Sequence, residues 1–225
     1  MASPDHFEPY DRLREVEPDL YCVDGDWQGT RFRRRMTIMR TRAKQLVIHS
    51  PIRLHEADYA NIETLGLVSH IVAPNRFHQS DAAEWRRRFP LATFHPPGTA
   101  GHWPMGLRKE IDCLPFDGTR LLQESVYFHV VSRTLVVTDL VFNLQMEVEG
   151  FEKFLFKLNG VYKHFGPSRL LRYGFINDVD QARRSLRRIL EWDFERVIMS
   201  HGTILEREGR VKLAFAFAER GIIAN

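Results

Sequence analysis

Cysteine is nearly absent from this 225-residue chain, which has only Cys22 and Cys113. Two thiols are too few for a disulfide scaffold or a cysteine-ligated zinc site. No apolar run approaches the roughly 18 residues that a membrane helix needs, so no membrane partner is expected. The opening stretch, MASPDHFEPYDRLREVEPDLY, is acidic and proline-containing and lacks an apolar signal core. A cytoplasmic location is therefore expected. A large charge excess is missing too: 32 Lys plus Arg stand against 29 Asp plus Glu, a net charge of +3. That excess does not announce a nucleic-acid protein. There are no repeats, low-complexity tracts or composition shifts to mark a linker. Residues 1–225 are thus expected to form one domain, with residues 1–19 as an N-terminal arm. What the chain does have is a globular mix, 44% hydrophobic and 27% charged, and ten histidines.

Apolar runs at residues 20–23, 36–39 and 46–49 are separated by Asp24-Gly25-Asp26, Gly29 and polar residues. They read as a strand meander. Residues 55–65 suit a helix ending at Gly66, residues 70–73 (HIVA) a strand halted by Pro74, and residues 79–89 a helix. A short strand at 91–94 precedes a Pro- and Gly-rich loop at 96–106. Residues 126–131 and 134–139 read as a hairpin, and 151–165 as mostly helical. From Asp178 to about Phe194, Val179, Ala182, Leu186, Ile189 and Leu190 repeat on one face of a 3.6-residue period. Asp178 with Gln181 supplies the N-terminal cap. A last strand at 196–199 and a helix at 211–219 complete a layered α/β pattern.

The polar residues fall where these strands end. Pro74-Asn75-Arg76-Phe77-His78-Gln79-Ser80-Asp81 follows HIVA, Asp139 follows TLVVT, and His201-Gly202 follows RVIMS. That rim is where open α/β sheets bind ligands. Asn, His, Asp and His together would make a mixed nitrogen and oxygen site for zinc, iron or manganese. Each residue also has a plainer reading. An aspartate at a strand end commonly caps or turns the chain, and His78 and His201 also suit loop positions.

The segments RRRMTIMRT…QLVIHSPI, HIVAPNRFH, YFHVVSRTLVVTDLVFN and RVIMSHG carry a resemblance. Together they are similar to the metallo-β-lactamase-like superfamily, whose fold is a four-layer αββα sandwich with metals on one edge. Within it, the chain most resembles a bacterial subgroup grouped as a domain of unknown function, with degenerate metal-ligand motifs. The resemblance implies that Asp139 stands at the superfamily's bridging aspartate and His201 at its last histidine ligand. The diagnostic His-x-His-x-Asp-His loop, laid onto Asn75, Phe77, Gln79 and Ser80, matches nowhere. Offset by one residue, it puts His78 at the second histidine and Asp81 at the last. The middle histidine falls near Gln123, beside Glu124. Seven ligands for two metals are therefore not available. Two expectations stand: one metal bound by His78, Asp139 and His201 with Asn75 or Asp81, or no metal.

With one cation the resemblance implies hydrolysis of an unknown small-molecule substrate. The cation would polarise a carbonyl or phosphoryl oxygen and lower the pKa of a water to about 7. Asp139 and His201 would be the catalytic residues, with Asn75 or Glu124 orienting the ligands. Without one, the sandwich is a non-catalytic protein that binds a small molecule or protein at the rim. Nucleic acid is a distant third, resting on the arginine clusters 31–35, 86–88 and 183–188. The remaining eight histidines and both cysteines read as structural. The sixteen phenylalanines read first as core, and second as a face for another copy of the chain.

Overall fold

In the computed structural model, residues 9–27 and 30–223 are described, without the side chains of residues 27, 30 and 31. Six strands form the first sheet in chain order: β1 (Arg14–Glu17), β2 (Leu20–Trp27), β3 (Thr30–Arg40), β4 (Gln45–His49), β5 (Leu67–Val72) and β6 (Thr93–His95). β1 to β4 pair antiparallel, and β4, β5 and β6 pair parallel. β1 lies inside the stretch expected to be an arm; residues 1–8 lie outside the described residues. The crossovers are α1 (Glu56–Glu63) and α2 (Ala82–Arg88).

The second sheet contains β7 (Ile111–Pro115), β8 (Ser125–His129) and β9 (Thr134–Val136), joined antiparallel. β10 (Phe142–Asn143) and β11 (Phe165–Gly166) form a small ladder beyond it. β12 (Arg196–Ile198) completes the second sheet by pairing parallel with β9. The helices of this half are α3 (Gly150–Leu158), α4 (Val179–Ile189) and α5 (Gly209–Glu219). Among the described residues, no helix is long and apolar enough to cross a membrane.

Strand alternation explains the layering, since successive side chains point to opposite faces. Tyr21, Val23, Leu46 and Ile48 pack with Tyr59, Ile62 and Trp85 of α1 and α2. Their neighbours Leu20, Cys22 and Val47 face the other way, meeting Cys113, Tyr127, Val136 and Ile198 of the second sheet. That sheet's opposite face, with Val126, Phe128, Leu135 and Val197, packs on Ala182, Leu186, Ile189, Leu213 and Phe217 of α4 and α5. Three apolar seams separate four layers: the fold is an αββα sandwich. The expected cap holds α4, where the Asp178 carboxylate accepts from the Gln181 N–H at 2.9 Å. The expected long helix at 151–165 is only α3, because Asn159-Gly160 ends it with Gly160 at φ +67°. None of its side chains is fully buried.

Both cysteines are buried and unpaired, and burial raises their pKa values to about 11 and about 12. Several histidines are structural. His70 Nδ1 lies 3.0 Å from His95 Nε2, so the pair can share one proton, whereas a second would set two donors face to face. Burial, then the neighbouring His70, lowers His95 to about 4. The unfolded chain takes up protons near the ordinary histidine value of about 6.5, before the folded chain does. Stability is therefore full above about pH 6.5 and should fall by about 2–3 kcal/mol toward pH 4 from this residue. Urea midpoints across that range should show a smaller acid loss in His95→Gln than in the wild type. Equal losses would show that the pair does not carry the effect.

Candidate metal centre

Three loops converge at one rim of the sandwich. His78 lies between β5 and α2, Asp139 lies three residues beyond β9, and His201 lies three residues beyond β12. His201 Nδ1 donates to the Arg33 carbonyl at 2.6 Å, which in the neutral ring places the lone pair on Nε2. His78 Nδ1 lies 2.8 Å from Ser50 Oγ; a bare Nε2 follows when Nδ1–H is the donor. Ser50 sits in the left-handed region at φ +55°, a strained position for a residue with a side chain. The two Nε2 atoms are 3.3 Å apart. His78 Nε2 is 3.4 Å from Asp139 Oδ2, and His201 Nε2 is 3.4 Å from Asp139 Oδ1.

These separations suit a small cation. Metal–nitrogen and metal–oxygen legs of about 2.0–2.1 Å at a tetrahedral angle hold donor atoms about 3.3–3.4 Å apart. Two imidazoles and a carboxylate make a donor set for zinc, iron or manganese. Were all three to hold a cation, they would be three protein ligands, the number found in catalytic rather than structural zinc sites. Among the described residues, His78, Asp139 and His201 are the one such group of three side chains.

No protein-family model matches the chain, and no curated protein matches it by sequence. Solved structures do. The DIM-1 metallo-β-lactamase, in a crystal exposed to ceftazidime, superposes with a TM-score of 0.59 at 14% identity, over 96% of this chain and 99% of that one. A metallo-β-lactamase from Hirschia baltica gives 0.58 at 9% identity, over 93% and 98%. The metal-soaked Flv1 flavodiiron core from Synechocystis sp. PCC6803 gives 0.63 at 10% identity, over 96% of this chain and 61% of that one. This chain has the metallo-β-lactamase fold.

On that fold, Asn75 stands at the centre of the supporting shell. Its amide nitrogen donates to Asp139 Oδ2 at 2.8 Å, Thr138 Oγ1 at 2.9 Å and Glu124 Oε2 at 3.2 Å. Its oxygen accepts from the Phe77 and His78 N–H groups at 2.9 and 3.0 Å. Those two donors fix the amide's orientation, so Asn75 presents nitrogen, not an oxygen ligand, to the cluster. Asp81 is turned elsewhere: it pairs with Arg34 and accepts from the Arg53 N–H at 2.9 Å. It contributes nothing to the cluster. The positive charge of the buried Arg34 draws it away.

Glu124 grips the loop that carries Asp139. Its two oxygens accept from the Thr138 N–H at 2.7 Å and the Asp139 N–H at 2.9 Å. Burial, then the Asp139 charge, pushes the Glu124 carboxyl up to about 7, against the hydrogen bonds that favour its ionised form. Burial also pushes Asp139 upward, but His78 and His201 outweigh it and hold that carboxyl below the usual range. Burial lowers His78, partly offset by Asp139. The two buried carboxylates raise each other's cost of ionisation, and a divalent cation beside Asp139 would offset it.

The cluster forms the floor of a cavity of about 280 Å³. Its walls include Phe32, Phe77, Phe142, Phe156 and Phe175. Phe32 stacks on the His201 ring at 4.1 Å, and Phe142 lies parallel to it at 5.7 Å. Of the arginine clusters, Arg33 pairs with Asp11 and Asp26, Arg35 with Asp24, and Arg88 with Glu56 and Glu63.

Proposed function

We propose that the protein is a metal-dependent hydrolase working with one divalent cation held by His78, Asp139 and His201. The observation that carries this is the spacing: two imidazole nitrogens 3.3 Å apart, each 3.4 Å from one oxygen of the Asp139 carboxylate, beside a cavity. A bound cation supplies Lewis acidity, polarising a substrate oxygen and making water more acidic. The chain's own residues set the geometry. Arg33 and Ser50 aim the imidazoles, while Asn75 and Glu124 fix the carboxylate. Asp139 also accepts a hydrogen bond from the attacking water and orients it. For an acyl substrate, water's oxygen bonds to the carbonyl carbon and the bond to the leaving group breaks. The proton that water releases ends on the leaving group.

Elemental analysis of protein purified without a chelating tag is the test. About one equivalent of zinc, iron or manganese is expected, and both Asp139→Asn and His201→Ala should lose it. Each loss of affinity should exceed the 10–100-fold typical of outer-shell substitutions. A metal-free wild type that folds normally would favour a non-catalytic sandwich using the same cavity to bind a small molecule or protein.

A further inference from the structure

We propose that this cavity selects neutral, apolar substrates, with an aryl or alkyl acyl group lying against the phenylalanine wall and the reacting carbonyl at the His78, Asp139 and His201 floor. The chemistry rests on the hydrolase reading; the binding preference rests on the wall alone. Besides the phenylalanines, Leu144, Val161, Leu170 and Leu171 line the cavity. Leu170 and Phe77 are partly exposed, so the apolar lining extends to solvent.

The polar wall residues offer little to a charged ligand. Asn159 donates to the Leu155 carbonyl at 3.1 Å, and Ser168 Oγ accepts from the Leu171 N–H at 2.9 Å. No lysine or arginine side chain lines this cavity among the described residues. A substrate carboxylate or phosphate held in the wall would thus lose water without gaining a cation, which is costly. The arginines open elsewhere. Arg14, Arg33, Arg34 and Arg35 line a separate cavity on the Ser200 and Gly202 side, and each has an aspartate partner.

Size sets a limit as well. An apolar cavity of about 150 Å³ holds a benzene ring. At about 280 Å³, this one has room for a phenyl ring and a short alkyl chain.

Two measurements on the metal-loaded protein separate this inference from the hydrolase reading. In the first, kcat/KM is compared for 4-nitrophenyl acetate, butyrate and hexanoate and for the anionic 4-nitrophenyl hemisuccinate. Each added methylene should raise kcat/KM about two- to fourfold until the cavity is full, and hemisuccinate should fall at least thirtyfold below butyrate. In the second, calorimetry follows binding of hexanophenone, a neutral ketone that cannot be hydrolysed, and of hexanoate. Hexanophenone should bind more tightly, and Phe156→Ala should weaken it about tenfold while its thermal melt shows the variant folded. Hexanophenone binding without ester turnover would sink the hydrolase reading and leave the apolar site standing. Turnover that favours hemisuccinate, or ignores chain length, would overturn the apolar preference and leave the hydrolase reading intact.

Discussion

An Asn75→Ala variant is expected to unfold about 3 kcal/mol more easily and to hold metal 10–100-fold more weakly. Asn75 is fully buried, and one amide group serves both the Asp139 carboxylate and the turn that carries His78. Truncation removes a donor from Asp139, Thr138 and Glu124. It also removes the side-chain acceptor from the Phe77 and His78 N–H groups. A buried polar group left without its partner costs about 1–3 kcal/mol, and more where the group is charged. Partial relaxation and the weaker His78 N–H contact to the Asn75 carbonyl at 3.3 Å reduce the sum. The loss of metal affinity follows because residues that orient ligands typically matter by that factor. Asn75→Asp should be worse than alanine, since it places carboxylate oxygen where nitrogen meets Asp139 and Glu124. Urea midpoints and competition with a chelator measure the two effects. Unchanged metal affinity in Asn75→Ala would show that the network supports the fold without positioning the site.

Much of the sandwich was legible because local pattern and tertiary burial agree. In α4, Ala182, Leu186 and Ile189 repeat on one face and are fully buried, under the Asp178 cap. The hairpin of β8 and β9 and the HIVA run, whose first three residues end β5, are short β-rich runs bounded by turn formers. Edges were harder to read. β1 is REVE, a charged strand that exists because β2 offers it a partner, and charge suits an exposed edge. β7 carries an aspartate and a proline within five residues and gave no alternation to recognise. At the site, His78, Asp139 and His201 were visible as polar residues at strand ends. Asp81 was visible in the same way, but Arg34, 47 residues away, pairs with it. The turn of the Asn75 amide depends on which N–H groups face it, something no spacing encodes. Ser50 was informative only in space, where its hydroxyl meets His78. The phenylalanine wall comes from separate segments of the chain, so composition could only count its members.

Replacing Arg35 with methionine is expected to destabilise the protein by about 3–5 kcal/mol and to loosen His201. Arg35 and Asp24 stand opposite each other on β3 and β2. The guanidinium is nearly buried and meets the carboxylate through two bonds, at 2.6 and 2.9 Å. Two further donors reach the Met199 and Gly202 carbonyls, both at 3.0 Å, on either side of His201. Gly202 has φ +99°, and a Cβ there would lie 2.3 Å from the Asn143 carbonyl oxygen, so this stretch cannot easily rearrange. Methionine keeps the length of the side chain and removes every donor. Asp24 is then left largely buried with Arg14 as a weaker partner at 3.3 Å, and two carbonyls lose their contacts. Breaking one side of a buried pair typically costs about 3–5 kcal/mol, whereas removing both partners costs less. The double variant Asp24→Leu/Arg35→Met should therefore recover part of the loss, which a double-mutant cycle of urea midpoints would measure. The effect should depend on pH in a definite direction. Burial pushes Asp24 up, but Arg35 outweighs it and keeps the wild-type carboxyl below its ordinary value. The pair therefore contributes stability above about pH 4 that is lost as pH falls through the folded pKa. Without Arg35, burial is opposed only by the weaker, more exposed Arg14, so the carboxyl rises and this contribution shrinks. The gap between wild type and Arg35→Met should be widest near neutrality and narrow below about pH 4. A gap that does not change with pH would mean that the lost carbonyl contacts, and not the ion pair, account for the destabilisation.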